Sequence, residues 1–194
     1  MLVWKKHSTS NLKIFYFIFL LSWPVLLLAK TSNVIEIKNV NASFVDQKYQ
    51  VNADFKYVLG DEIQEALNHG IGLQIDIQIN AKQQREWLWN TTIKSSTISY
   101  LLKHHPLSGH YQITNLGNHR KKHFQNLQSA LDYISSIKNY NLLDQDNLNP
   151  DKIYIAGIRA KLNIQNLPAP LRLLAYISSD WQLNCPWHEW KIKQ

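Results

Sequence analysis

Five of the chain's eight histidines, His104, His105, His110, His119 and His123, fall within twenty residues. Imidazoles gathered in this way are the ligands of zinc and copper sites. The alternating segments around them predict a hairpin from Ser96–His104 and His110–Leu116, with His104 and His110 flanking its turn. Adjacent strand residues point to opposite faces, so His104 and His105 do not easily serve one ion. No carboxylate or cysteine accompanies them, and a solvated polar hairpin is the expectation, with no metal assigned.

Carboxylates offer less. Asp144, Asp146 and Asp151 crowd the loop DQDNLNPD, but a calcium loop needs an oxygen ligand where Leu148 stands, a glycine at Asn149 and a glutamate at Ile155. An ordinary acidic turn is expected. Asp54, Asp76 and Asp180 could meet in space as the acid pair of a glycoside hydrolase, although nothing in their spacing selects them. The chain has no Gly-x-Ser-x-Gly elbow and no zinc-protease helix motif. Cys185 and His188 are close in sequence but face opposite sides of an expected strand, so the imidazole does not activate the thiol. No catalytic residue, cofactor or small-molecule ligand is assigned.

Surfaces are the remaining chemistry. Trp87, Trp89, Trp181, Trp187 and Trp190 could form a platform for sugar rings or a lipid-facing rim, because an indole has a broad apolar face and a polar edge. Burial between two sheets accounts for them equally well. Arg120, Lys121 and Lys122, between His119 and His123, read as a solvated connection whose functional use would be contact with acidic phospholipid heads. The candidate interaction residues are therefore Trp87, Trp89, Arg120, Lys121, Lys122, Trp187 and Trp190.

The elements that would position them have a period of two. In KYQVNADFKYVL, Tyr49, Val51, Ala53, Phe55, Tyr57 and Leu59 share one face, and Ile71, Leu73, Ile75, Ile77, Ile79 and Ala81 repeat the pattern. Further strands are expected at Val34–Phe44, Arg85–Ile93, Lys152–Ile164 and Asp180–Trp190, with turns at Val45–Lys48 and Pro106–Gly109. Ribbons with one apolar face must cover one another. The fold class expected is thus mainly β: an antiparallel two-sheet β-sandwich, immunoglobulin-like in general architecture, with two or three short helices, and a partly closed barrel is its rival. Asp61 opens one helix, capping it with Gln64 in reciprocal position, and Gly70 provides its exit. A second spans NLQSALDYISSI with Leu127, Ala130, Leu131, Ile134 and Ile137 as its apolar stripe, and a brief third follows Pro168. Asn139–Asp151 is expected to be a mobile loop.

Ahead of this domain stand Lys5, Lys6 and Lys13, followed by the apolar run Ile14–Ala29, interrupted by Ser22 and Pro24. Positive residues before an apolar core are the order of a secretory signal. Sixteen residues fall short of the roughly twenty that span a bilayer. Removal after Ala29 is therefore favoured over retention as an anchor, despite the bulky Leu27 at the cleavage site. Residues 1–29 are read as signal peptide or N-terminal membrane anchor, and 30–194 as a single exported domain. Cys185 is the sole cysteine, so no disulfide forms within the chain. The formal charge of +7 leaves only a mild excess once the three leading lysines are set aside. That excess suits a membrane surface or an acidic polymer and gives no reason to expect nucleic acid.

HYQITNL at His110–Leu116, the following helix, IRAKLNIQNLPAPLRLLAYISSDWQL at Ile158–Leu183, and then Trp187 and Trp190 together resemble the exported proteobacterial proteins grouped as domain of unknown function 4390 (DUF4390). The resemblance spans Val34 to Trp190. It implies an envelope location, periplasmic or tethered to the inner membrane. It also implies an accessory role in membrane signalling, since members tend to be encoded near membrane sensor kinases. It brings no catalytic residues. The functional expectation is a non-catalytic module binding a protein or envelope component. The alternatives are an envelope hydrolase with dispersed carboxylates and a histidine-based metal-binding protein.

Overall fold

A computed structural model of the chain describes residues 32–85, 87 and 89–193, and the run Ile14–Ala29 lies outside them. Nine strands build two antiparallel sheets, as the two-residue period predicts. The smaller sheet has the order β1 (Val34–Val45), β2 (Lys48–Val58), β7 (Ser136–Asp144). The larger has the order β6 (Lys121–Phe124), β5 (His110–Asn115), β4 (Thr91–His105), β3 (Leu73–Gln83), β8 (Tyr154–Leu162), β9 (His188–Lys191). Tyr49, Val51, Ala53, Phe55 and Tyr57 on one inner face are buried with Leu73, Ile75, Ile77, Ile79, Ala156, Ile158 and Ala160 on the other. The arrangement is a sandwich, immunoglobulin-like only in that general sense.

Among the described residues three helices close its margins. In α1 (Asp61–Asn68), Ile63, Ala66 and Leu67 are buried. Gly60, not Asp61, is its N-cap, and Gln64 reaches back to the Leu59 carbonyl (2.6 Å) in place of the expected reciprocal cap. Gly70 leaves the helix at φ +81°, a conformation in which a Cβ is strained. Asn126 caps α2 (Leu127–Ile134) by accepting from the Ser129 amide (2.8 Å). The brief third helix is nine residues, α3 (Ala169–Ile177).

Four expectations are corrected. Of the expected strand Arg85–Ile93 only Thr91–Ile93 is strand, as the start of the fifteen-residue β4, while the described residues Arg85, Trp87, Trp89 and Asn90 are not. The helix after Asn126 stops at Ile134, and Ile137 belongs to β7. The expected loop from Asn139 begins inside that strand, whose alternation is broken by register shifts opposite Gln50 and Ala53 and by Asn139 at φ +52°. Those breaks leave Leu142 and Leu143 both buried, a pattern that a period of two does not reveal. Asp180–Trp190 is a short 3-10 turn at Ser179–Trp181, an isolated bridge from Asn184 to Lys161, and only then β9.

Register gives the domain two ends. Leu73 pairs with Leu102, close to the β4–β5 hairpin, while Ile75 pairs with Leu162, after which the chain runs to α3. The other end of β3, at Gln83, carries the loop 84–90. With a rise of about 3.4 Å per residue the two ends are about 34 Å apart.

Candidate functional site

The seven interaction candidates separate along this axis. Trp87 and Trp89 lie on the loop at the Gln83 end and are each 93% exposed, contrary to burial between the sheets. At the start of their loop the Gln84 amide donates to the carbonyl of the exposed Ile153 (2.8 Å). Two indoles thus face water on a turn held between two paired strands.

Trp187 and Trp190 are half-buried and structural. The Arg159 guanidinium lies 4.6 Å from the centre of the Trp187 ring, and Lys82 Nζ lies 5.7 Å from it. Lys82 also pairs with Glu189 (2.9 Å). Each cation–π contact supplies about 1 kcal/mol. Trp190 Nε1 donates to the Tyr49 hydroxyl (2.9 Å) and so ties the edge strand β9 to the smaller sheet. Burial raises the Tyr49 pKa, and the indole donor partly offsets this.

The basic candidates lie toward the opposite end, because β6 pairs with β5 at Thr114–Tyr111, opposite Leu101–His104. The expected solvated connection is largely an edge strand. Lys121 points outward, whereas Lys122 turns to the other face and sits 4.4 Å above the Tyr133 ring of α2. Arg120 precedes the strand and is exposed.

The hairpin forms as expected, with His105 opposite His110, while His104 stacks on Tyr111 at 4.6 Å between ring centres. His105, His110 and His123 border a shallow concavity of about 430 Å³ with Gln112. Among the described residues no three His, Cys, Asp or Glu side chains converge to hold an ion.

A groove of about 600 Å³ on the outer face of the larger sheet is bordered by Asp76, Gln78, Arg159, Lys161 and Tyr176. Two of its charges, Asp76 and Arg159, are held by neighbours. Asp76, 5% exposed, accepts from Gln74 Nε2 (2.7 Å), Ser99 Oγ (2.7 Å) and Asn163 Nδ2 (2.8 Å). Arg159 Nε donates to Gln78 Oε1 (2.8 Å). Asp54 lies on the outer face of the smaller sheet, so the two sheets separate it from Asp76 and the pair cannot act on one bond. Cys185 is buried against Ala160 and burial raises its thiol pKa, which keeps it protonated and unreactive.

One surface was not foreseen. α3 buries Ala175 but leaves Leu173, Leu174, Tyr176 and Ile177 exposed. Its sequence APLRLLAYI carries a single charge, which was the available signal.

No curated protein and no solved structure matches the chain. The model of the family described as domain of unknown function (DUF4390) matches residues 32–191, which cover both sheets and all three helices, and the chain belongs to that family.

Proposed function

We propose that the domain is a non-catalytic binding module of the cell envelope, held in the periplasm and engaging a protein partner through the loop that carries Trp87 and Trp89. The observation that supports this is the 93% exposure of both indoles at one tip of the sandwich. An indole offers about 200 Å² of burial, so covering half of each contributes about 5 kcal/mol before the cost of association. Rigid aromatic anchors at a protruding site are the usual centre of a protein interface. The signal-like run Ile14–Ala29 supports the location, and the family's tendency to be encoded near sensor kinases suggests a signalling partner.

A photo-crosslinking residue at Trp89, used in intact cells, tests this. One reproducible protein adduct is expected at that position and none from the same probe at Lys56, on the outer face of the smaller sheet. Identical patterns from both positions, or no adduct at Trp89, would refute the partner reading.

A further inference from the structure

The apolar arc of α3 is turned the wrong way for a helix in water. Leu173, Leu174, Tyr176 and Ile177 sweep roughly half its circumference and are 71, 50, 59 and 83% exposed, while the buried side holds Ala175 with Leu171 beside it. Arg172 sits at the edge of the arc and donates from Nη2 to the Leu167 carbonyl (3.1 Å). A packed core would claim leucines at these positions, and a water-facing helix would carry charge there.

The position of α3 indicates what covers it. Asn33, the second described residue, donates from Nδ2 to the Asp180 carbonyl (2.5 Å), just beyond the end of α3, and its Oδ1 accepts from the Gly60 amide (2.5 Å). The domain therefore starts beside α3. In sequence only Lys30, Thr31 and Ser32 separate Asn33 from the apolar run Ile14–Ala29. Where that run is retained as an anchor, the alternative to its removal after Ala29, so short a connection keeps Asn33 close to the bilayer. The fully exposed Leu107 at the hairpin tip leaves the larger sheet at the same end, with the exposed Lys103 and His110 behind it. Apolar side chains edged by basic ones suit an anionic membrane surface.

We propose that α3 is a membrane-contact helix, with Leu173, Leu174, Tyr176 and Ile177 in the interfacial layer of the bilayer and the Trp87–Trp89 tip, beyond the far end of β3, facing the aqueous compartment. This rests on the envelope location proposed above but not on the identity or existence of a tryptophan-binding partner.

The test uses the full chain in vesicles of phosphatidylethanolamine and phosphatidylglycerol, with an environment-sensitive fluorophore on Ile177→Cys. Buried Cys185 stays unlabelled in the native protein, which the wild-type chain verifies. Emission from position 177 should shift to the blue and be largely lost when nitroxide-bearing lipid is added, whereas the same probe on Trp87→Cys should remain aqueous and unquenched. Adding Leu173→Glu should restore the emission at 177, with an unchanged circular dichroism spectrum. An aqueous signal at 177 would overturn the proposal. So would a blue shift that lipid quenchers do not touch and dilution reverses, which would indicate a second copy of the chain. Quenching unchanged by Leu173→Glu would also overturn it, because a tether alone would then explain proximity. Failure here leaves the Trp89 crosslinks unaffected, and loss of those crosslinks leaves the quenching unaffected.

Discussion

Asp76 shows how a charged residue can be buried for structure rather than chemistry. It lies in the centre of the larger sheet, nearly sealed from water, with three donors from β3, β4 and the turn after β8. Hydrogen bonds to a carboxylate are worth more than neutral ones, and deleting the acceptor strands its donors. Asp76→Ala should therefore lower unfolding free energy by about 3 kcal/mol, with Asp76→Asn costing less because one oxygen remains, as measured by urea titration. Sequence alone leaves Asp76 as one of several dispersed acids, because alternation assigns a residue to a face but not to its partners. The same limit applies to the tryptophans. Trp87 and Trp89 have strong β-propensity and the right spacing for a strand, yet no neighbouring strand takes up their backbone and they end on a loop.

At the scale of elements, local chemistry was a good guide where the chain reverses tightly. The β1–β2 connection places Asp46 at φ +48° and Gln47 at φ +62° between the paired Val45 and Lys48, a two-residue turn of the kind that matches strand twist. Gln47 has a Cβ in a region that penalises it by about 1 kcal/mol. Gln47→Gly should raise stability by up to about 1 kcal/mol in thermal or urea unfolding, while leaving the fold unchanged. Both the β1–β2 turn and the Pro106–Gly109 hairpin were legible, because Asp, Pro and Gly act through their own backbones. β7 was not legible. Its bulges and the left-handed Asn139 disturb the alternation, and it is a strand because β2 offers it a free edge. α3 was legible as a helix but its direction was not: which arc of APLRLLAYI faces the core depends on where the 3-10 turns at Ile164–Asn166 and Ser179–Trp181 hold its two ends.

At the scale of the whole molecule, the buried phenols and thiol tie stability to pH in one direction. Burial is the first cause that raises the pKa of Tyr49, Tyr57 and Tyr100 above the ordinary 10.0 and of Cys185 above 9.0. Tyr57 is also raised by neighbouring Cys185 and Tyr100. The folded state therefore holds these protons more tightly than the unfolded chain. This contribution is complete below about pH 9 and is lost as pH climbs through the raised values. Urea midpoints should be flat from neutral pH to about 8.5 and then fall steadily above about 9 to 10. Tyr57→Phe should make that fall shallower, since the Tyr57 hydroxyl is buried without a hydrogen-bond partner. An unchanged alkaline slope in that variant would show that Tyr57 does not contribute to the linkage. The class of this protein, a stack of half-apolar ribbons, is readable along the chain, because a period of two and a few turn-forming residues are properties of sequence neighbours. The tertiary structure alone decided which apolar residues lack cover, putting Trp87 and Trp89 at one end and the α3 arc at the other, because exposure depends on how many elements there are to pack and where each one stops.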